Sequence, residues 1–113
     1  MKKLSISLIA FIFCFTAWAQ TDKKPTQLSE SLYIMPKDGM AVQFEAGIAD
    51  HNKKFHPVGP HHAVLRRVEY GEKAGWYVWN MFGTYAALDS RPTTENGHDT
   101  DWNKAVDPYV EEY

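Results

Sequence analysis

Four of the chain's five histidines, His51, His56, His61 and His62, fall within twelve residues. That density raises metal binding, because neutral imidazole is the commonest nitrogen ligand for zinc and similar ions. The spacing argues against it. Two ligands on one helix stand four apart, as in HExxH, whereas His51 and His56 are five apart and project about 140° out of line on a regular helix. His61 and His62 are adjacent where a strand begins, so they point to opposite sides and at most one of them joins any site. His51 is therefore read as a packing residue of a helix stripe and the others as loop residues, with no metal and no cofactor expected. Other reactive signatures are missing: there is no GxSxG elbow and no Gly-rich phosphate loop, and the Asp99–Asp101 stretch lacks the twelve-residue calcium pattern and is read as a helix cap.

The chain that must position such residues has 113 of them, 44% hydrophobic and 23% charged, which fits one globular domain. Lys2 and Lys3, the apolar run Leu4–Phe15 and the small-residue pattern Ala17-Trp18-Ala19 form a secretory signal, with cleavage expected after Ala19. The apolar run is shorter than the roughly 20 residues of a spanning helix, so no membrane attachment is expected after cleavage. Cys14 lies inside the signal and Phe13 before it rules against a lipobox. Residues 20–113 then hold no cysteine and 10 basic against 14 acidic side chains, which suits a secreted or periplasmic protein and disfavours nucleic acid.

Residues 20–31 are polar and read as a flexible leader, followed by a single domain over 32–113. Leu32–Met35 predicts a buried strand and Pro36–Gly39 a turn. Ala41, Phe44, Ile48, His51 and Phe55, spaced three, four, three and four, predict a helix capped by Asp38. Gly47 inside it is unfavourable by about 1 kcal/mol relative to Ala and suggests a close approach by a neighbouring element. Ala63–Tyr70 and Trp76–Phe82 predict a hairpin around Gly71–Gly75, with bulky groups on both faces, so that the sheet needs cover on both sides. Thr84–Ser90 predicts a short helix with Tyr85 and Leu88 inward. Trp102, Val106, Tyr109 and Tyr113 recur at helical spacing, with Pro108 kinking that helix or starting another.

The order strand, helix, strand, hairpin loop, strand, helix, with the run Tyr77-Val78-Trp79-Asn80-Met81-Phe82-Gly83-Thr84-Tyr85-Ala86-Ala87-Leu88, resembles the dimeric α/β-barrel superfamily. The turn Pro36-Lys37-Asp38-Gly39-Met40 through Phe44 is similar to its first turn and helix. His51–Pro57 and Gly97–Asn103 resemble segments of uncharacterised secreted bacterial proteins of that type. The resemblance implies an α+β, ferredoxin-like βαββα unit with an antiparallel sheet, here expected to miss the usual last strand, and a homodimer pairing its sheets face to face. It also implies an interior that holds a small hydrophobic ligand. On the hairpin, Arg67, Glu69, Trp79 and Asn80, together with His51, are the candidate ligand-binding residues, since charged groups in a largely apolar cavity are what such a site needs. The plainer reading of Arg67 and Glu69 is a solvent-facing pair worth under about 1 kcal/mol. Cavity enzymes of the superfamily include isomerases, cyclases and cofactor-free monooxygenases, which makes an enzyme the alternative function. Its haem-degrading members use an Asn, a Trp and a His, but the first strand here has no Asn, so no catalytic residue carries over.

Overall fold

The structure, a computed structural model, describes residues 27–113. The expected signal and most of the leader lie outside the described residues. Strand β1 (Leu28–Pro36) leads into helix α1 (Ala41–Phe55), strands β2 (Ala63–Arg67) and β3 (Tyr77–Gly83), helices α2 (Tyr85–Asp89) and α3 (His98–Ala105), and strand β4 (Val110–Glu112). Short 3-10 turns, Thr94–Asn96 and Asp107–Tyr109, flank α3. The strands form one antiparallel sheet in the order β2-β3-β1-β4, which is the ferredoxin-like arrangement.

Three expectations are corrected. The leader's last four residues are strand, because β1 starts at Leu28 and pairs along β3 from Leu28↔Gly83 to Ile34↔Tyr77. Where the last strand was expected to be missing stands a three-residue stub, β4, matched to β1 at Met35↔Glu112 and Pro36↔Val110. Helical spacing misleads there, because α3 stops at Ala105, Pro108 sits in the 3-10 turn that follows, and the backbone after Tyr109 turns extended. Of the two residues expected inward on α2, Leu88 packs against the core but Tyr85 is exposed and Ala87 is the buried one, and Thr84 caps the helix through its hydroxyl, which accepts from the Ala87 N–H at 3.2 Å.

The α1 stripe is as the sequence predicts: Phe44, Ile48 and His51 are buried, although the cap is Met40 and no side chain, Asp38 included, caps it. Phe44 and Ile48 pack with Ile34, Tyr77, Trp79 and Met81 of the sheet and Val106 beyond α3. Phe44 and Tyr77 meet edge to face at 5.1 Å, worth about 1 kcal/mol beyond the area they bury. On the sheet's other face Tyr33 and Phe82 remain 44% and 43% exposed.

Gly47 is where α3 crosses α1. A Cβ built there would lie 1.9 Å from the carbonyl oxygen of Ala105. Mid-helix Gly→Ala normally stabilises by about 1 kcal/mol. Here the sign reverses: Gly47→Ala should destabilise by about 1–3 kcal/mol, the range for overpacking a tight contact, read as a lower urea midpoint. An unchanged or raised midpoint would show that the helices are not in contact at this point.

Candidate functional site

A cavity of about 380 Å³ opens between the helix-covered face of the sheet and α3. Its apolar wall is Leu32, Trp79, Met81 and Trp102, and its polar rim includes Glu30, Arg91, His98 and Asn103. Trp79 comes from β3, where every second residue faces the helices, and its indole N–H donates to Asn52 of α1 at 2.9 Å. Trp102 meets Trp79 edge to face at 6.2 Å between ring centres. Arg91 pairs with Glu30 across the cavity mouth.

Three histidines stand at the inner end. His51 is fully buried on α1 and its Nδ1 contacts Asp101 Oδ2 at 2.8 Å. His56 is the residue after the last helical one, with φ −131° and ψ 43°. There the backbone has left the helix, so its side chain is not bound to the 140° offset, and the argument separating His51 from His56 fails for that reason. His56 Nδ1 donates to the His61 carbonyl at 2.9 Å, and its Nε2 lies 3.0 Å from His98 Nε2. His98 opens α3 immediately after Gly97, whose φ of 78° is left-handed backbone that glycine adopts without strain. His98 Nδ1 contacts Asp99 Oδ1 at 2.8 Å. Each of the three offers a ring nitrogen, and these lie within 4.8 Å of one another.

The electrostatics keep the inner rings neutral. Burial pushes the His56 pKa down to about 4, against the pull of its backbone hydrogen bond. Burial also lowers that of His51, outweighing the hydrogen bond to Asp101 that would raise it. Asp101 is held below the ordinary carboxylate range chiefly by Lys54, whose ammonium donates to its other oxygen at 2.5 Å. Neutral His51 then donates Nδ1–H to Asp101, leaving Nε2 as a lone-pair nitrogen that is buried and has no hydrogen-bond partner.

Of the five residues the sequence selects, the structure brings two to this region. Trp79 lines the cavity and His51 sits behind it, its ring 5.0 Å from that of Trp102. Asn80 is on the opposite face, as strand alternation requires, where Arg66 donates to its carbonyl at 3.2 Å and its amide donates to Ser31 at 2.6 Å. Arg67 and Glu69 are 59% and 64% exposed and 3.8 Å apart at the turn end of the hairpin, so they form the solvent-facing pair and do not line this cavity. Sequence reasoning missed His56, His98, Asp101 and Trp102. The available signal was the pair of segments that carry the resemblance, His51–Pro57 and Gly97–Asn103, which are the ones that meet here.

No protein-family profile and no curated protein matches the chain. A solved structure from Bordetella bronchiseptica, of a protein provisionally named an antibiotic biosynthesis monooxygenase, superposes with a TM-score of 0.61 at 20% identity, over 78% of this chain and 89% of that one. The two share a fold. It is an α+β, ferredoxin-like fold with an antiparallel sheet, as the sequence resemblance implies.

Outside the cavity, the hydroxyl of Tyr77 donates to Glu45, and its pKa is pushed up to about 12, first by burial and then by that carboxylate. Unfolded, the phenol ionises near 10. The folded state therefore holds more protons between those values, and stability that is complete below pH 10 should fall as pH rises towards 12. Urea midpoints from pH 9 to 11 should decline, and Tyr77→Phe should flatten the decline. An equal slope in the variant would remove Tyr77 as its source.

Proposed function

We propose that this chain is an exported, homodimeric domain that binds a small, largely apolar molecule in the cavity between its sheet and α3. The observation that carries the reading is the cavity itself: about 380 Å³, inside the usual range for small-ligand sites, with two indoles as walls and a few polar groups at the mouth to fix orientation. Flat indole walls favour an aromatic or polycyclic ligand, which stacks on them with little loss of side-chain freedom. Export rests on the signal pattern of residues 1–19. Among the described residues no helix is long and apolar enough to cross a membrane.

Dimer formation is supported by the sheet face that the helices leave free. Val64, Val78, Tyr33 and Phe82 lie on it, and its central polar group, Asn80, has its hydrogen bonds made within the chain. A second copy could cover those apolar groups with Asn80 already partnered, provided that Arg66 stays at the edge of the contact, in water.

A second reading, an enzyme acting on the bound molecule, is favoured by the name of the Bordetella structure. Within that reading the cavity residues would bind and orient the substrate and exclude water.

Filling the mouth separates ligand binding from folding. Asn103 is exposed at the rim. Asn103→Trp should leave the circular dichroism spectrum and melting temperature unchanged and weaken binding of an anthraquinone or naphthol probe at least about tenfold, about 1.4 kcal/mol, read by quenching of Trp79 and Trp102. Equal affinity in the variant would move the ligand elsewhere. For the dimer, sedimentation at micromolar concentration should give two chains for the parent and one for Phe82→Asp, since burying an unpaired carboxylate in an apolar interface is strongly unfavourable. A parent that sediments as a monomer would defeat the pairing.

A further inference from the structure

We infer that His51, His56 and His98 form a binding site for a divalent transition metal, with zinc the natural probe, at the inner end of the cavity. This reverses the expectation drawn from spacing and stands independently of the ligand reading.

The Nδ1 nitrogen of each ring already has a partner. His56 Nδ1 faces a backbone carbonyl, the His61 oxygen, at 2.9 Å. His98 Nδ1 faces the Asp99 carboxylate and His51 Nδ1 the Asp101 carboxylate, both at 2.8 Å. All three partners are acceptors, so each Nδ1 carries the hydrogen, and a ring with that one hydrogen presents Nε2 as a lone pair. A hydrogen bond from the non-ligating nitrogen to a carboxylate or carbonyl is the usual support behind a metal-bound histidine, and here all three rings have one.

The lone pairs that remain are otherwise unfavourable. His56 Nε2 and His98 Nε2 stand 3.0 Å apart, and two acceptors at that separation repel unless something positive lies between them. A proton on one of them would settle that pair. It would leave His51 Nε2, which belongs to a fully buried residue and has no partner, as it is. One metal ion serves all three.

Distances agree with this. Nitrogens bound about 2.05 Å from a tetrahedral zinc stand about 3.4 Å apart. The His56–His98 pair is already near that value. With all three ring nitrogens within 4.8 Å, the remaining adjustment is at most about 1.4 Å, within reach of ring rotation. Imidazole donors suit zinc, copper, iron and nickel, and a set of nitrogens without carboxylate or carbonyl ligands disfavours magnesium and calcium.

Three protein ligands leave a fourth position. His56 and His98 line the cavity while His51 lies behind it, so that position is reached from the cavity side. A site of this form is the open kind that metal chemistry uses, rather than the closed four-ligand structural kind.

The test uses the untagged full chain, stripped with a chelator and titrated with zinc chloride, with bound metal counted by plasma mass spectrometry after desalting. One equivalent per chain should bind, and zinc at a hundredfold above its Kd should raise the melting temperature by on the order of 10 °C. His98 is the least buried ligand, so His98→Ala should keep the stripped protein's fold while losing the equivalent and the shift. Asp101→Asn, which keeps the shape behind His51, should weaken zinc ten- to hundredfold. His62→Asn, outside the cluster, should bind as the parent does. Absence of stoichiometric zinc in the parent, or retention of the equivalent by His98→Ala, would overturn the inference. Probe binding measured on the stripped protein decides the ligand reading separately, so either can fail while the other stands.

Discussion

The arrangement depends on one close contact, the crossing of α3 over α1 at Gly47, where the Ala105 carbonyl occupies the space of a missing side chain. Any larger residue there would hold the helices apart. That would lift α3 away from His51 and His56 and widen the cavity whose wall includes Trp102. Lys54 and His51 of α1 both reach Asp101 of α3, which fixes the rotation of α3 once the crossing has fixed its distance. Backbone contact and carboxylate bridge together set where His98 points. An exposed Lys–Asp pair alone contributes little, but here the same carboxylate also receives a buried histidine, and removing it would strand a polar group in the interior.

The crossing also explains why buried imidazoles are tolerated. Three clustered rings, 4.6 to 5.4 Å between centres, with His98 edge to face against both His51 and His56 and those two tilted against each other, behave as aromatic core on their flanks. Trp79 and Trp102 close the outer side, with His56 5.0 Å from Trp79 and His51 5.0 Å from Trp102. The apolar flanks account for burial and the Nδ1 hydrogen bonds satisfy one polar atom per ring. The second polar atom of each is what packing cannot answer. A cluster kept only for stability would be expected to replace at least His51 with an apolar ring, because a buried unsatisfied nitrogen costs about 1–3 kcal/mol.

How much of this was readable from the sequence follows from range. Local features came through: the α1 stripe at Phe44, Ile48 and His51, the hairpin about Gly71–Gly75, the Thr84–Ser90 helix and the close approach at Gly47 all rest on residues a few positions apart. The His98–His56 contact joins residues 42 apart, and no periodicity encodes it. The offset of His51 and His56 was computed for one continuous helix, and a single non-helical residue, His56 at φ −131°, voids it. Strand alternation requires Trp79 and Asn80 to lie on opposite faces, but it cannot say that the helix-covered face holds the cavity. Arg67 and Glu69 lie outside this cavity for a related reason: charge next to apolar residues is visible in sequence, whereas the end of the sheet ladder at Arg67↔Tyr77, near which both side chains are more than half exposed, is not.

The two faces of the sheet divide the work. On the covered face polar atoms are few and aimed inward, towards the histidines and the cavity. On the free face the aromatics lie beneath cations, Arg66 at 5.7 Å over Phe82 and Lys73 at 3.6 Å over Trp76, and Asn80 is satisfied by Arg66 and Ser31. Such cation–aromatic contacts are worth about 0.5–1 kcal/mol where water is present, less than the desolvation of a lysine or arginine buried without a counter-charge. A copy of the chain brings the same cations and aromatics by symmetry. Pairing of the sheets would therefore have to keep Arg66 and Lys73 at the rim, in water, while Tyr33 and Phe82 fill the space between them. Because the cavity opens on the other side, pairing of the sheets would leave its mouth at Arg91 and Asn103 free, so occupancy of the cavity and assembly of the dimer are physically separable.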